Sequence, residues 1–280
     1  MHKQYKIIVL ITYFGDFPWY FPYFLHSCHF NATIDFLIFS DIEHEYTLPK
    51  NVQIIHKTFA DIKALACTKL GMQVNISFPY KLCDFKPAYG LIFEDYTIGY
   101  DFWGQSDIDL IYGNLRSFMT SEILKENDFI SVRHDYTTGC FTLCRNNNLM
   151  NHFFKRSKDY EKVCVTQAYL GYDELNFRHC ELSEGKELDE IETEIECFTH
   201  LIKRAKQSGE IQAYFDFILI EGLPGKIKFD NGKLIYSNKY EAALYHLYWF
   251  KQVFGPKISM DKIPSIFYIS PTKIYFKNAR

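Results

Sequence analysis

The sequence predicts an α/β fold in which a Rossmann-type mixed sheet is flanked by helices. Two continuous apolar runs, Tyr5–Thr12 and Asp35–Ser40, are typical of parallel strands buried on both faces. Between them, Phe17–Phe30 has apolar residues at helical spacing, and its two prolines delay the start of the helix. This order of strand, helix and strand indicates the beginning of a Rossmann-like sheet, to which Val52–His56 adds a third strand.

Composition and charge restrict the class of protein. With 280 residues, 48% hydrophobic and 23% charged, the chain has the profile of a soluble globular protein. Its net charge of -3 provides no general basic field, so no nucleic-acid partner is expected. The apolar run at the N-terminus is too short for a signal peptide or a membrane span. We therefore expect a cytoplasmic protein, with peripheral association at the inner face of the membrane left open.

Further helices and strands are predicted along the chain. The predicted helices are Thr58–Gly71, a segment opened by Pro87 and running to about Tyr96, Leu149–Lys158, the amphipathic Leu188–Ala205 and the aromatic Tyr240–Val253. The predicted strands are Asp128–Arg133, Gly139–Arg145 and a hairpin over Lys226–Ser237 that turns at Asp230–Gly232. The last stretch, Ile263–Phe276, is interpreted as a strand or a docking tail.

The stretch Trp103–Leu115 carries the most informative motif, the D-x-D of Asp107 and Asp109. Its apolar residues are typical of a buried strand end, where both aspartates would face one side with Ile108 in the core. Two neighbouring carboxylates repel each other and are costly to bury, and a divalent cation offsets both costs. Mg²⁺ prefers such oxygen ligands together with substrate phosphates. The alternative is a strand-end loop with two solvated aspartates.

Other polar residues follow the predicted strands. Tyr13 and Gly15 follow the first strand and Asp41 follows the second, at the edge where sheets of this type bind ligands. The motif G-x-G-x-x-G is absent after the first strand, which argues against a dinucleotide cofactor.

Three charged residues, Lys81, Asp84 and Lys86, stand among aromatic residues. The two lysines are candidates for contacting a diphosphate, with Asp84 holding one of them or a sugar hydroxyl. The alternative is that Asp84 and one lysine form a structural ion pair, as interior pairs usually do.

Two blocks, K-x-C-D-x-K-P at residues 81–87 and W-G-x-x-D-x-D-L-I-x-G at residues 103–113, are long enough to be specific. With the first two strands, the GCFTLCRN segment and a later Asp-Glu pair, they resemble a bacterial family of GT-A-like glycosyltransferase domains, catalogued largely as a domain of unknown function. The resemblance implies a GT-A-like sheet and a metal-dependent transfer of sugar from a nucleotide-sugar donor to a glycan or lipid-linked acceptor. It also implies Mn²⁺ or Mg²⁺ as cofactor, and surface polysaccharide synthesis as the pathway.

The resemblance also implies roles for particular residues. Asp107 and Asp109 would hold the cation on the donor diphosphate, and Asp107 would thereby contact the donor. Tyr13, Gly15 and Asp41 would line the nucleoside. These assignments add to the interpretation of the D-x-D and of the strand ends given above.

Transfer to a hydroxyl with inversion needs a base within hydrogen-bond reach of the acceptor, whereas in a retaining enzyme an acid there would instead orient the sugar. The candidates are Asp173 and Glu174; adjacent side chains usually face different ways, so we expect only one in the cleft and prefer the shorter Asp173. The alternative is an exposed acidic turn. His246 is a candidate third metal ligand, as C-terminal histidines are in some GT-A enzymes, unless it packs within the predicted aromatic helix.

We expect one domain in two parts. Residues 1–180 would form the nucleotide-sugar-binding and catalytic core, and residues 181–280 an irregular helical extension on the acceptor side. Two rival functions stay open: a nucleotidyltransferase or phosphohydrolase using the same aspartates, and a non-enzymatic glycan-binding module, which an aromatic content of 18% would suit. Analysis of the products would exclude the first rival, and a requirement for Asp107 would exclude the second.

Overall fold

A seven-stranded mixed sheet lies at the centre of the computed structural model, which describes residues 3–256 and 262–276. The strands, in chain order, are β1 (Ile7–Thr12), β2 (Ile34–Ser40), β3 (Val52–His56), β4 (Phe102–Ser106), β5 (Leu110–Tyr112), β6 (Phe129–Ser131), β7 (Phe141–Arg145), β8 (Ala213–Phe215), β9 (Leu219–Ile220), β10 (Ile227–Asp230), β11 (Lys233–Tyr236), β12 (Tyr240–Ala242), β13 (Leu244–His246), β14 (Ile266–Ile269) and β15 (Ile274–Tyr275). The α-helices are α1 (Phe21–His29), α2 (Phe59–Leu70), α3 (Tyr89–Ile92), α4 (Ser121–Glu126), α5 (Asn148–Asn151), α6 (Tyr160–Val165), α7 (His179–Ser183), α8 (Phe198–Gln207) and α9 (Phe250–Val253). Within these described ranges, no helix has the length and apolar character needed to cross a membrane.

The large sheet has the strand order β3-β2-β1-β4-β7-β6-β8. Its strands are parallel except β7, which runs antiparallel to both β4 and β6. After β1 the chain places β2 and β3 on one side, and then crosses to place β4 on the other. The carboxyl ends of β1 and β4 therefore diverge at a topological switch point, where sheets of this kind leave a crevice for ligands. The predicted α/β class and the mixed sheet are confirmed.

Helices cover both faces of this sheet, which explains the continuous apolar runs of its central strands. Alternate residues of β1 enter different layers: Val9 belongs to the hydrophobic cluster that includes α1, and Leu10 to the cluster that includes α2. A capping box formed by Thr58 and Asp61 begins α2, and Gly71, at φ 72°, ends it. These local signals confirm the predicted second helix.

The C-terminal third contains two small sheets where mainly helix was expected. One has the antiparallel order β12-β11-β10-β14-β15, and the other has the order β5-β13-β9. The predicted helix over Tyr240–Val253 is wrong, because Tyr240–Ala242 and Leu244–His246 are strands and only Phe250–Val253 is helical. β13 pairs with β5 from the first half of the chain, and no local pattern reveals so distant a partner.

The hairpin predicted over Lys226–Ser237 is confirmed. Asp230 pairs with Lys233 at its end, and the two turn residues, Asn231 and Gly232, have φ of 48° and 90°. A two-residue turn that matches the twist of its strands requires positive φ at both positions, which asparagine and glycine tolerate best. The final stretch likewise contains strands, β14 and β15, that complete the same sheet.

Two other helix predictions need correction. The helix expected over Leu188–Ala205 begins only at Phe198. Leu188–Glu190 instead forms a separate 3₁₀ turn, and Cys197, which has an extended backbone, begins the helix in a capping box with His200. Pro87 does not open an α-helix but lies inside a 3₁₀ segment, Pro79–Ala88, since proline lacks the N–H that a longer α-helix would use.

Candidate active site

The D-x-D lies in the short connection between β4 and β5, and not on a strand as expected. Ile108 is buried in the core, while the side chains of Asp107 and Asp109 line a cavity at the switch point. A backbone hydrogen bond holds this connection in place, because Asp107 N–H donates to Cys140 O of the neighbouring chain segment at 3.1 Å. Both carboxylates therefore face the same cavity, as predicted, but a turn places them there and not a strand.

β13 brings His246 to the same place. His246 pairs with Leu110 in the β5–β13 register, and Leu247 N–H donates to Asp109 O at 2.8 Å. His246 Nε2 lies 3.5 Å from Asp109 Oδ2, and one ligand atom each from Asp107, Asp109 and His246 fit within 4.8 Å of one another. Two carboxylates and one imidazole suit Mn²⁺, and the carboxylate oxygens also suit Mg²⁺. These three residues are called the Asp-Asp-His cluster below.

Two lysines accompany the cluster. Lys86 Nζ lies 2.6 Å from Asp107 Oδ1, and Lys251 Nζ lies 2.8 Å from Asp109 Oδ2. Burial raises the pKa of Asp107 more than Lys86 lowers it. Burial also acts to raise the pKa of Asp109, but the hydrogen bonds and charges of His246 and Lys251 together bring it below its ordinary value.

The imidazole of the cluster sits between two carboxylates. Burial alone would lower the pKa of His246, but Asp109 and Glu221 raise it to about 10. His246 Nδ1 faces Glu221 Oε1 at 3.9 Å, so each ring nitrogen faces an acid. Only a neutral imidazole binds a metal, so binding of a cation here would release a proton.

The cluster opens into a cavity of about 750 Å³. Asp173 and Glu174 line the same cavity, and so do the aromatic residues Tyr13, Phe14, Tyr20, Tyr80, Tyr136, Tyr169, Phe177, Tyr248 and Trp249. A cavity of this size, with apolar walls and a few convergent charged groups, is typical of a small-molecule site.

Both acids of the Asp-Glu pair face the cavity, which corrects the expectation that only one would do so. They lie in a turn, where successive side chains need not point to opposite sides. Gly139 lies against both acids. Its N–H donates to Glu174 Oε1 at 2.8 Å, and a side chain at this position would clash with Asp173, because its Cβ would lie 2.5 Å from Asp173 Oδ2. Tyr169 Oη donates to Asp173 Oδ1 at 3.0 Å. Burial, and then the charge of Glu174, raise the pKa of Asp173 well above its usual range.

Lys86 links the acid pair to the Asp-Asp-His cluster. Its ammonium group donates to Asp107 Oδ1 and to Gly139 O, both at 2.6 Å. The amide of the same glycine holds Glu174. One lysine and one glycine therefore fix the spacing between the two sets of acids.

The donor role predicted for Lys81 and Asp84 is not supported by their positions. Both side chains are completely buried, and Lys81 Nζ contacts Asp84 Oδ2 at 2.7 Å as well as Val163 O and Ala168 O. Asp84 also accepts hydrogen bonds from the backbone N–H groups that lead to Asp173. The structural alternative therefore describes this pair: it anchors the loop that presents the candidate base.

The other residues expected to contact the donor differ in position. Tyr13 lines the cavity at the end of β1, as predicted for a residue at the switch point. Gly15 and Asp41 are exposed and lie outside the cavity wall. The loops after β1 and β2 carry them away from the crevice, so proximity to a strand end was not sufficient to predict contact.

Three residues of the site were missed by the sequence analysis: Lys251, Glu221 and Arg133. Arg133 forms an ion pair with Glu221, which in turn faces His246, so a continuous polar network extends from the cluster along the cavity. None of them belongs to a motif. The first two come from the C-terminal section, where the topology was predicted incorrectly.

Comparisons with known proteins agree with the expected family. The chain matches the family of unknown function DUF6625 over residues 9–278, and it belongs to that family. No curated protein matches the chain significantly.

Three solved structures of glycosyltransferases match the chain at low identity. The galactosyltransferase LgtC, in complex with donor and acceptor sugar analogs, has 13% identity, with a TM-score of 0.36, over 62% of this chain and 70% of its own. Two structures of the glycosyltransferase GlyE from Streptococcus pneumoniae TIGR4, one of them the apo form, also have 13% identity. They match 75% and 76% of this chain but 45% of their own length, with TM-scores of 0.30 and 0.28. Likeness at this level does not decide the activity, which is inferred below from the chain's own residues.

Proposed function

We propose that this protein is a divalent-metal-dependent glycosyltransferase that moves a sugar from a nucleotide-sugar donor to a hydroxyl acceptor. The main support is the convergence of Asp107, Asp109 and His246 on a cavity that also receives Asp173 and Glu174. Such a transfer needs stabilisation of a departing diphosphate and a base for the acceptor, and the cavity has groups for both. Its volume of about 750 Å³ is in the range of small-molecule sites.

The donor diphosphate would lie beside the Asp-Asp-His cluster. Asp107, Asp109 and His246 would hold Mn²⁺ or Mg²⁺, which when bound acts as a Lewis acid for the diphosphate. Lys86 and Lys251 each bond to one carboxylate of the cluster and line the cavity, so their ammonium groups are within reach of phosphate oxygens. Charge-assisted hydrogen bonds of this kind are the stronger ones in proteins.

The acceptor hydroxyl would lie beside Asp173. Tyr169 and the loop anchored by Asp84 fix the direction of its carboxyl group, and burial raises its pKa towards the working range of a general base. Glu174, held by Gly139 N–H, would orient the sugar or the acceptor. Tyr13 would border the nucleoside at the end of β1.

Calorimetry with UDP, GDP, CDP and ADP, each with and without Mn²⁺, tests the donor half of this proposal. We expect one nucleotide to bind only with Mn²⁺, and Asp109→Asn to abolish that dependence while preserving side-chain volume. Asp95→Ala removes an exposed acid outside the cavity and serves as the control. Unchanged metal-dependent affinity in Asp109→Asn would refute the metal site.

The reaction products test the chemical half. A glycosyltransferase releases a nucleoside diphosphate, whereas a nucleotidyltransferase using the same aspartates releases pyrophosphate. A phosphohydrolase would release phosphate without an acceptor, and a glycan-binding module would bind sugar without metal. The finer expectations belong to this proposal as well: a glycan or lipid-linked acceptor, a role in surface polysaccharide synthesis, a cytoplasmic site of action, and one domain whose residues 181–280 extend the core. The acceptor and the pathway rest on the family resemblance, and the other two rest on the sequence analysis.

A further inference from the structure

Three aromatic side chains form one wall of the cavity: Tyr80, Tyr169 and Phe177. The ring of Tyr169 contacts the other two edge to face, with centroid distances of 4.9 Å to Tyr80 and 5.2 Å to Phe177. Tyr80 is 60% exposed and Phe177 is 55% exposed. These three residues are called the aromatic wall below. The rings of Tyr80 and Phe177 are accessible to a molecule that enters the cavity.

The backbone at Phe177 suggests that its exposed ring is not there for folding. Phe177 has φ of 64° and follows Asn176 at φ 47°, so two successive residues adopt the left-handed conformation. That conformation is uncommon for a bulky residue and costs stability. Two hydrogen bonds of the Asn176 side chain, to Leu170 O and from Glu194 N–H, hold the turn in place. A ring that is half exposed gains little from burial, so stability alone does not account for it.

The aromatic wall is continuous with the acid pair. Tyr169, its central ring, donates through Oη to Asp173 Oδ1 at 3.0 Å. A molecule that places a hydroxyl group at Asp173 therefore has these rings beside it. Aromatic faces pack against apolar C–H surfaces, while the carboxyl groups of Asp173 and Glu174 accept hydrogen bonds from hydroxyls.

Charge around the wall disfavours an anionic occupant. Asp173 and Glu174 present carboxyl groups here, and the nearby lysine, Lys86, is bonded to Asp107 and Gly139 O on the donor side, where the proposed function assigns it to the diphosphate. A phosphate or carboxylate has no hydrogen to donate to a carboxylate and meets like charge from an ionised acid, whereas a hydroxyl donates to it. We infer that the acceptor ends in a neutral saccharide, whose rings stack on the aromatic wall and whose hydroxyls meet the acid pair. This inference rests on the proposed function and narrows it to one class of acceptor.

Saturation-transfer NMR of the full chain, with the diamagnetic cation Mg²⁺ and the nucleoside diphosphate that binds, tests the inference. The probes are lactose, maltotriose and chitotriose as neutral saccharides, and sialyllactose and glucuronic acid as anionic ones. We expect at least one neutral probe to bind more tightly than either anionic probe. Binding confined to the anionic probes, or to none of the five, would overturn the inference.

Variants of the wall make the test specific. Tyr80→Ala and Phe177→Asn should each weaken binding of the neutral probe roughly 2- to 10-fold, the range for loss of an aromatic contact. Phe177→Asn should at the same time raise Tm by about 2–4 °C, because asparagine tolerates the left-handed backbone. Tyr240→Ala, which removes a ring that is 56% exposed on β12 and outside the cavity, should change neither.

The readouts separate this inference from the proposed function. Metal-dependent binding of the nucleoside diphosphate reports on the donor site and should be unchanged in the wall variants. If it persists while saccharide binding is the same in Phe177→Asn as in the natural chain, the aromatic wall has no role and the donor site stands. If Phe177→Asn loses Tm together with binding, the ring is a structural element and the inference fails.

Discussion

Two lysine–aspartate pairs occur close together in the chain and have opposite surroundings. Lys81 and Asp84 are completely enclosed: Lys81 Nζ donates to Asp84, Val163 O and Ala168 O, and Asp84 also accepts from the backbone N–H groups of Leu170 and Tyr172. Lys86 and Asp107 stand at the edge of the cavity, where the Asp107 side chain keeps 35% exposure. The chemistry of the two pairs is the same, so the difference in surroundings decides what each one can do.

The comparison shows which buried ion pairs can contact a ligand and which only support the fold. An enclosed pair with saturated hydrogen bonds has no capacity left for a ligand, and its contribution is to hold backbone in place. A pair that borders a cavity and a second acid can exchange partners when a ligand arrives. Asp173 lies between the two cases, because the enclosed pair fixes its loop and its own carboxyl group faces the cavity.

The largest expected effect is on catalysis, from Asp173→Asn. Turnover should fall roughly 10²- to 10⁴-fold, the range for a general acid–base group, while donor affinity is retained because the anchored loop is intact. Turnover assays with donor and a working acceptor measure this. The matched variant Glu174→Gln should lose less, and a near-normal rate in Asp173→Asn would exclude this residue from the mechanism.

The same variant should also change how the free energy of unfolding depends on pH. Burial raises the pKa of Asp173, so the folded state keeps a proton that the unfolded chain releases above its ordinary pKa of about 3.9. This carboxyl group therefore stabilises the fold fully below about pH 4, and the contribution is lost as pH rises towards the folded pKa. Asp173→Asn should become more stable relative to the natural chain between about pH 4 and 7, measured by urea unfolding. A constant difference across that range would contradict the assignment.

The next effect concerns the enclosed pair. Asp84→Ala should destabilise the fold by about 3–5 kcal/mol, because it leaves the Lys81 ammonium buried without its partner. Lys81→Met/Asp84→Leu, which removes both charges, should cost less than the two single changes together. Urea unfolding measures both. Nucleoside diphosphate affinity of the folded variants should be normal, and a tenfold loss there would restore the donor role first predicted for this pair.

The smallest expected effect comes from the pair at the cavity. Lys86→Met should weaken binding of the nucleoside diphosphate by about 1.5–3 kcal/mol, the range for hydrogen bonds to charged groups. Lys81→Met is the matched control, since it removes the same charge from the enclosed pair and should lower stability without changing affinity. Calorimetry decides between them. Equal affinity losses in both variants would mean that the two pairs do not differ in function.

Much of the fold could be predicted because its signals are local. The apolar run of β1, the capping residues of α2 and the Asn231-Gly232 turn each depend on neighbours within a few positions. The C-terminal strands could not be predicted in the same way. Leu244–His246 forms a strand because β5 and β9 lie beside it, and that tertiary pairing outweighs the local aromatic pattern.

The residues of the candidate site also fall into two groups, those with a local sequence signal and those without one. Asp107, Asp109 and the Asp-Glu pair stand out as closely spaced acids in the sequence, which makes them candidates, but other adjacent acids such as Glu94 and Asp95 lie outside the cavity. Lys251 and Glu221 have no such signal, because each meets the site only through the folded C-terminal section. Lys81 and Lys86 are alike in sequence context and both are buried, and only the fold shows that Lys86 borders the cavity while Lys81 does not.

The short pairing of β5 with β13 has a consequence for how the protein is made. During translation β4, β5 and the connection between them that carries Asp107 and Asp109 leave the ribosome long before His246 does. A nascent chain can therefore form much of the cavity while it still lacks the imidazole. Three residue pairs set the register, and a slip of one residue would turn His246 to the opposite face. The complete Asp-Asp-His cluster is thus found only in chains that have closed this ladder in the correct register.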